Sequence, residues 1–292
     1  MATPIRPRRS VLYMPGANQR ALEKARTLPA DALIFDLEDA VAPEAKEGAR
    51  AIVAAALAAG GYHPREVVLR VNALDTIWGH GDLAAAATLP LGAVLLPKVE
   101  NADRVRSSLA LLDTSGAPPD LAVWCMVETP KGVLAAAEIA AASSRVAALV
   151  MGTSDLVTDL HAVATRDRLA LVTALGLVLL TARAHGLAVL DGVHLDLTDA
   201  EGFAAACRQG REFGFDGKTL IHPNQIAAAN VAFAPNPEEV ARARRIVAAY
   251  AEGQRGGKGV VVVDGRLVEA LHAAEARRTL ALADAIAARD GS

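Results

Sequence analysis

The stretch AVWCMVETPKGVLAAAEIAAASSRVAALVMGTSD (122–155) carries the pattern on which the fold prediction depends. Two short apolar runs, 122–127 and 147–151, flank a longer alanine-rich segment with the apolar spacing of a helix. A strand, a helix and a second strand in this order form a unit in which the two strands run parallel. Polar residues follow each run, Glu128 and Asp155 among them, so chemistry-bearing side chains are predicted beyond the ends of these strands.

The same alternation extends through most of the chain. Six further apolar runs have the length and composition of strands, at 10–14, 32–37, 67–71, 93–97, 188–193 and 219–223. Eight strands alternating with helical segments predict one α/β domain, a (β/α)8 or TIM barrel over residues 1–234, in preference to an open doubly wound sheet. No GxGxxG or GxxxxGKS motif follows the first run, which disfavours dinucleotide-binding and P-loop folds.

Residues 235–292 do not continue this alternation. They begin with a helical segment that starts at a proline, followed by GGKGVVVVDGRLV (256–268), which predicts a β-hairpin turning at Asp264 and Gly265. A final helix is predicted over 270–288. We expect this C-terminal helical and hairpin extension to pack on a neighbouring subunit.

The composition argues against a nucleic-acid or membrane protein. The net charge is −3, the basic residues are spread along the chain and aromatic residues make up only 3%, so no basic patch with stacking platforms is indicated. The longest apolar run, 169–180, is too short to cross a bilayer, and the basic N-terminus lacks the apolar core of a signal peptide. We expect a soluble, cytoplasmic protein in which Cys125 and Cys207 are buried apolar side chains.

Catalytic side chains of (β/α)8 barrels lie at the C-terminal ends of the strands and in the loops that follow. This rule selects the polar residues Asp36, Glu38, Asp39, Arg70, Asn72, Lys98, Glu100, Glu128, Thr153, Ser154, Asp155, Asp191 and His222. Carboxylates predominate in this set, so cations are needed to balance them. Two oxygen ligands with no histidine or cysteine nearby suit Mg²⁺, with Mn²⁺ as the alternative ion, and we assign them to Glu128 and Asp155. In the structural alternative, Glu128 caps the following turn and Asp155 caps a helix.

Arg70 is the most informative basic residue. It lies in the apolar run 67–71, where a guanidinium is costly unless a partner satisfies it. Its planar fork suits bidentate binding of a carboxylate, so we predict that it binds a carboxylate substrate. The alternative is an internal salt bridge to Asp36 or Asp39.

Two other residues of the set receive structural interpretations. We expect Lys98 to bridge to Glu100 or Glu128. Ser154 is a poor nucleophile candidate because its segment, GTSDL (152–156), does not have the GxSxG pattern of a nucleophile elbow.

Several ordered motifs resemble those of one enzyme family. They read RSVLYMPG (9–16), FDLEDAVAPEAK (35–46), VETPKGV (127–133), MGTSDL (151–156) and DGKTLIHPNQI (216–226). The sequence resembles the citrate lyase β-subunit-like and malyl-CoA lyase-like enzymes of the HpcH/HpaI aldolase–citrate lyase superfamily, near the branch of malyl-CoA thioesterases. The resemblance covers almost the whole chain. It implies an enzyme that acts on acyl-CoA and 2-oxoacid substrates and assembles as a homotrimer or hexamer.

The resemblance also implies roles for individual residues. Glu128 and Asp155 correspond to the Mg²⁺ ligands, in agreement with the assignment made from the residues themselves. Arg70 corresponds to the carboxylate clamp, and Glu38 and Asp39 to an acidic pair that lines the same pocket. The substrate-binding set further includes Gly152, Thr153 and Ser154. The residues implied to meet coenzyme A are Tyr13, Pro15, Arg20 and Lys24.

The resemblance leaves the reaction open. The first expectation is Mg²⁺-dependent cleavage or formation of a C–C bond in a malyl-CoA-type 3-hydroxyacyl-CoA, giving glyoxylate and acetyl-CoA. The alternatives are hydrolysis of (3S)-malyl-CoA to malate and coenzyme A, and a citrate lyase β-type subunit acting on a carrier-bound citryl group. The tail of the lyases delivers a carboxylate to the neighbouring active site, usually from an aspartate, whereas this chain has Glu269 in GRLVEALH. The extra methylene moves the carboxylate by about an ångström, enough to change a tuned catalytic step.

Overall fold

The computed structural model describes residues 5–291 and confirms the predicted barrel. Eight parallel strands pair in sequence order, and the eighth pairs with the first, so the sheet closes. The strands are β1 (Ser10–Pro15), β2 (Ala32–Asp36), β3 (Glu66–Arg70), β4 (Ala93–Leu96), β5 (Ala122–Val127), β6 (Val146–Met151), β7 (Ala188–Asp191) and β8 (Gly217–Leu220).

Each strand is followed by one or two helices. They are α1 (Gln19–Ala25), α2 (Lys46–Ala59), α3 (Gly79–Ala86), α4 (Ala102–Thr114), α5 (Pro130–Leu134), α6 (Ala136–Ala140), α7 (Thr153–Asp159), α8 (Val172–Ala184), α9 (Ala200–Phe213) and α10 (Ile226–Phe233). The predicted run 219–223 extends beyond the end of β8, because Pro223 begins a 3-10 turn. At the start of β8, a Cβ on Gly217 would overlap the carbonyl oxygen of Arg8, so only glycine allows this close approach.

The alternation of side chains along the strands produces two apolar layers. Inward-facing residues such as Val11, Ile34 and Leu95 fill the barrel, and their neighbours in sequence, such as Leu12 and Leu33, pack in the layer between the strands and the helices. Both layers are fully buried at these positions. Because the interior is packed, only the strand ends and loops are available for chemistry.

The N-terminal end of the barrel is closed by paired charges. Arg8 binds Glu66 at 2.7 and 2.9 Å, and its guanidinium lies 4.9 Å from the ring centroid of Trp124. Arg9 binds Asp31 through Nε, Nη2 and the backbone N–H at 2.8–2.9 Å. We call these five residues the barrel floor.

Residues 8–233 form one compact unit, and residues 5–7 and 234–291 form a second. The second unit contains α11 (Pro237–Arg255), the hairpin strands β9 (Val261–Val263) and β10 (Arg266–Val268), and α12 (Ala270–Asp290). Its apolar core includes Ile246, Tyr250 and Val268. The predicted hairpin is confirmed, and both of its turn residues, Asp264 and Gly265, have the positive φ that a tight hairpin turn requires.

Two smaller expectations concern membranes and cysteines. Within the described residues, no helix has the length and apolar character needed to cross a membrane. Cys125 and Cys207 are both buried, as expected. Burial raises the pKa of Cys125 to about 12 and that of Cys207 to about 11, so both thiols are protonated near neutral pH.

Candidate active site

The C-terminal ends of β2 to β6 bring together a cluster of charged side chains. It contains the carboxylates Asp36, Glu38, Asp39, Glu128 and Asp155 and the basic residues Arg70 and Lys98, and we call it the mouth cluster. Five carboxylates face two basic groups, so negative charge is in excess. These seven residues were predicted to meet because each follows or ends a parallel strand, and in the structure they do lie together.

Arg70 and Asp36 form the rigid base of the mouth cluster. They are the last residues of β3 and β2 and lie side by side in the register of the two parallel strands. Nε and Nη2 of Arg70 donate to the two carboxylate oxygens of Asp36 at 2.7 and 2.6 Å, and the guanidinium stacks 4.8 Å from the Tyr13 ring centroid. The internal salt bridge that was the alternative for Arg70 is therefore present.

One edge of the Arg70 guanidinium faces the rest of the cluster. Its Nη1 lies 2.8 Å from Oε2 of Glu38 and 3.1 Å from Oδ2 of Asp39. Only this edge is left for a substrate carboxylate, because Asp36 occupies the other two nitrogens. The predicted clamp is thus narrower than a complete bidentate fork, and it stays a prediction.

Glu38 and Lys98 form the second ion pair of the mouth. Nζ of Lys98 donates to Oε1 of Glu38 at 2.7 Å and lies 3.6 Å from Oδ2 of Asp155. The bridge predicted from Lys98 to Glu100 or Glu128 is wrong in its partner, because the ammonium group binds Glu38. Glu128 accepts from the backbone N–H of Lys98, and Glu100 lies 3.8 Å from Lys131. Burial raises the pKa of Glu38, and the neighbouring Arg70 opposes that shift.

Glu128 follows β5 directly and is only 2% exposed. Its Oε1 accepts a hydrogen bond of 2.7 Å from the backbone N–H of Lys98. Its side chain lies against Gly152, where a Cβ would fall 2.5 Å from Oε2, so a side chain at position 152 would displace the carboxylate. The structural alternative for Glu128 is wrong, since Thr129 caps the following turn by accepting from the N–H of Gly132.

Asp155 is four residues beyond β6, in the first turn of α7. The N-cap position of that helix is Gly152, and the helix has no side-chain cap, so Asp155 does not cap it. Its side chain is 39% exposed and complements the helix dipole. Glu128 is thus the buried carboxylate of the predicted metal pair and Asp155 the accessible one.

The donor chemistry of the mouth fits a hard divalent cation. Burial raises the pKa of Glu128 to about 7, with Glu38 and Asp155 adding to the shift by their negative charges. A cation beside Glu128 would relieve this unfavourable charge, and oxygen donors are those that Mg²⁺ prefers. No three histidine, cysteine or acidic side chains among residues 5–291 are already arranged around one point as a complete ligand set.

The residues implied to meet coenzyme A do not all lie together. A groove of about 690 Å³ is lined by Pro15, Ala17, Asn18, Gln19, Arg20, Glu23 and Ala40. It includes two of the four implied residues. Lys24 is exposed on α1 outside this lining, and Tyr13 packs inside the barrel with its hydroxyl 3.7 Å from the sulfur of Met126. Tyr13 faces inward because it is two residues from the inward-facing Val11 in the same strand.

Other selected residues have structural contacts. The side chain of Thr153 is buried against Gly192, and Ser154 is the next residue of the same helical turn. Asp191 is fully buried, where it binds Arg168 at 2.7 Å and Lys218 at 2.8 Å. These three charged residues form a buried network of their own. The position of Asp191 at a strand end did not reveal that its partners would be Arg168 and Lys218 and not residues of the mouth cluster.

Two further selected residues also stabilise turns and loops. The side-chain amide of Asn72 donates to Asp82 at 2.6 Å. Nδ1 of His222 accepts from the N–H of Asn224 at 3.2 Å. Neither contact belongs to the mouth cluster.

Glu269 belongs to the second unit. It precedes α12 at the N-cap position, and its backbone N–H donates to Nδ1 of His272 at 3.1 Å. This hydrogen bond holds the backbone of Glu269, the residue whose side chain carries the carboxylate of the extension.

Comparison with known proteins places these features in context. Residues 9–223 match the family model described as HpcH/HpaI aldolase/citrate lyase. The chain is 51% identical over 288 residues to a (3S)-malyl-CoA thioesterase of Cereibacter sphaeroides, covering 99% of each chain. It is 37% identical over 284 residues to the citrate lyase subunit beta of Escherichia coli K12, covering 96% of this chain and 94% of that one. A crystal structure of CitE from Mycobacterium tuberculosis with magnesium, acetoacetate and coenzyme A has a TM-score of 0.76 and 32% identity, covering 95% and 98% of the two chains.

Proposed function

Because this chain belongs to the HpcH/HpaI aldolase/citrate lyase family, we propose that it is a Mg²⁺-dependent enzyme that hydrolyses the thioester of a malyl-CoA-type substrate. One observation carries the proposal: the chain is 51% identical, over 99% of its length, to proteins named (3S)-malyl-CoA thioesterase. This favours the hydrolase alternative over the lyase that was the first expectation from the sequence. The mouth cluster supplies acidic and basic groups that such a reaction needs.

The roles at the mouth follow from burial and charge. Glu128 and Asp155 would hold the metal, which when bound would act as a Lewis acid toward a substrate oxygen. Nη1 of Arg70 faces the same space and would bind the substrate carboxylate. Asp36 fixes the guanidinium in position, so the direction of that edge is set before substrate arrives.

Hydrolysis needs a base for the attacking water. The oxygen of water forms a bond to the thioester carbon, the C–S bond breaks, and the thiolate of coenzyme A takes up a proton as malate is released. Glu38 is one candidate base, because burial raises its pKa and so makes it a stronger proton acceptor. Glu269 is the other, acting from the extension of a neighbouring subunit in a trimer or hexamer.

The trans role of Glu269 has a direct test. Glu269→Ala subunits are mixed with Glu128→Gln subunits, and the mixed oligomers are isolated by two affinity tags. If the extension acts on a neighbour, some mixed sites combine an intact mouth with an intact tail, and activity returns. Isolated mixed oligomers that stay inactive would place both residues of one site in the same chain.

Coenzyme A is proposed to bind along the groove lined by Pro15 and Arg20. The guanidinium of Arg20 suits a phosphate of the cofactor. Glu23 lines the same groove, so its carboxylate would disfavour a phosphate placed beside it. Arg20→Ala should raise the KM for the thioester without changing its kcat.

A second candidate is the lyase reaction. It is favoured by the 37% identity to a citrate lyase subunit beta and by the likeness to CitE, solved with magnesium, acetoacetate and coenzyme A. The same Mg²⁺ and Arg70 would then stabilise cleavage to a 2-oxoacid such as glyoxylate and acetyl-CoA. A citrate lyase β-type subunit would act instead on a carrier-bound acyl group.

One product assay separates these reactions. The purified chain is incubated with malyl-CoA and Mg²⁺, and the products are quantified by mass spectrometry together with free thiol. Equal amounts of malate and free coenzyme A support hydrolysis, whereas glyoxylate with acetyl-CoA supports the lyase. Absence of both product pairs with Mg²⁺ and with Mn²⁺ would reject activity on this free thioester and favour the carrier-dependent subunit.

A further inference from the structure

The ammonium group of Lys98 lies among three carboxylates of the mouth cluster. Its Nζ is 2.7 Å from Oε1 of Glu38, 3.6 Å from Oδ2 of Asp155 and 3.9 Å from Oδ1 of Asp39. These three carboxylates come from the loop after β2 and the first turn of α7. The lysine thus connects the loop after β2 with the first turn of α7 through ion pairs.

The backbone of Lys98 is held in an unusual conformation. Its φ is +49°, a region that non-glycine residues seldom adopt, and such residues concentrate at functional sites. In this conformation its N–H donates to Oε1 of Glu128 at 2.7 Å. One residue therefore contacts the buried carboxylate of the predicted metal pair through its backbone and the accessible one through its side chain.

We propose that Lys98 is an internal counter-ion of the mouth carboxylates and that a divalent cation bound at Asp155 competes with its ammonium group for them. The inference rests on the proposed function, because it concerns the Mg²⁺ site of that function. It assigns to Lys98 the control of metal affinity, in place of the structural bridge expected from the sequence.

The physical chemistry of the two basic residues supports different roles. Arg70 is buried, and two of its nitrogens are fixed by Asp36, so it cannot leave the site. Lys98 is 43% exposed, and its ammonium is a compact charge on a flexible stem. Two cations a few ångströms apart repel each other strongly in a partly buried site. A divalent ion bound to Asp155 would therefore displace the lysine toward solvent or toward a substrate carboxylate, while its backbone hydrogen bond to Glu128 stays in place.

Isothermal titration of the metal-free full chain with Mg²⁺ tests this proposal. Lys98→Met keeps the aliphatic stem and removes the charge, so the Kd for Mg²⁺ should fall about tenfold. The melting temperature of the metal-free variant should also fall, and the rise in melting temperature on adding Mg²⁺ should be larger than in the wild type. Lys98→Arg keeps the charge and should not bind Mg²⁺ more tightly than the wild type.

Lys131→Met is the matched control. Lys131 is 80% exposed and lies 3.8 Å from Glu100, outside the mouth cluster, so its loss should leave the Kd unchanged. If Lys98→Met does not fold, Lys98→Gly serves instead, because glycine accepts a positive φ and also removes the ammonium.

The outcomes separate the two proposals. A wild-type chain that binds neither Mg²⁺ nor Mn²⁺ would overturn the metal-dependent function itself. A wild-type chain that binds Mg²⁺, with charge-free variants at position 98 that bind it equally or more weakly, would overturn the counter-ion role alone. The counter-ion role would also be overturned if Lys131→Met bound Mg²⁺ as tightly as Lys98→Met does. The gain in affinity would then come from the lower net charge of the protein and not from the position of Lys98.

Discussion

The two ends of the barrel use buried charge in opposite ways. At the barrel floor, two arginines face two carboxylates, Glu66 and Asp31, with short bidentate contacts. At the mouth, five carboxylates face two basic groups, and the pKa of Glu128 is raised to about 7. At the closed end each buried charge is paired, so removing one partner would be costly, whereas the excess negative charge at the open end is itself unfavourable in the absence of a cation. The difference separates residues that maintain the fold from residues that we propose to be catalytic.

The largest effect is expected for Glu128→Gln at the mouth. The amide lacks the charge that binds a divalent ion, so kcat/KM should fall about 1000-fold, which corresponds to about 4 kcal/mol of transition-state stabilisation. Mg²⁺ binding by calorimetry should weaken in parallel. Glu100→Gln, outside the cluster, is the control. Full activity of the wild type in EDTA would contradict the role assigned to the metal.

The converse change is Asp31→Asn at the floor. It removes the carboxylate charge that faces the buried guanidinium of Arg9 at 2.9 Å, so the free energy of unfolding should fall by about 3 kcal/mol. Urea denaturation measures this loss. The folded variant should keep the Kd for Mg²⁺ and the kcat of the wild type. A large change in the kcat of Asp31→Asn with unchanged stability would contradict the assignment of a structural role to the barrel floor and of a catalytic role to the mouth.

The pH dependence of stability sharpens the comparison. Because the pKa of Glu128 is raised in the folded state, its protonated form favours folding. The metal-free wild type should therefore lose stability, by about 3 kcal/mol, as the pH rises from 4.5 through 7. Glu128→Gln should lack this loss and be the more stable protein at pH 8 without metal. Saturating Mg²⁺ should restore the stability of the wild type at high pH. If the free energy of unfolding has the same pH dependence in the two proteins, the charge of Glu128 is not unfavourable in the folded state.

Arg70→Lys should have a mixed effect, because Arg70 has both structural and binding contacts. An ammonium cannot donate to both oxygens of Asp36 and also present an edge to the substrate. The KM should rise about tenfold, and the melting temperature should fall because Asp36 loses a buried partner. A rise in KM with unchanged stability would mean that the guanidinium binds the substrate and that its ion pair with Asp36 does not stabilise the fold.

Features that depend on neighbouring residues in the sequence were predicted, whereas contacts between residues far apart in the sequence were harder to predict. The strands were found because each is a short apolar run with a local signature, and the strand-end rule then collected the mouth residues. The ion pair of Arg70 with Asp36 was only an alternative at the level of the sequence, because it depends on the register between two strands whose paired residues are 34 positions apart. The positive φ of Lys98 likewise has no signature in a non-glycine residue. The inward direction of Tyr13, by contrast, was available from its two-residue spacing to Val11.

The smallest effect is expected for Glu269→Asp, outside the barrel. Shortening the side chain by one methylene moves its carboxylate by about an ångström, so the rate of hydrolysis should fall about tenfold while the metal site keeps its affinity. If this position selects the bond that breaks, glyoxylate and acetyl-CoA should increase relative to malate and free coenzyme A. Glu275→Asp on the same helix is the control. An unchanged product ratio at an unchanged rate would assign the choice of reaction to the mouth, where Glu38 is then the base to test, because burial already raises its pKa.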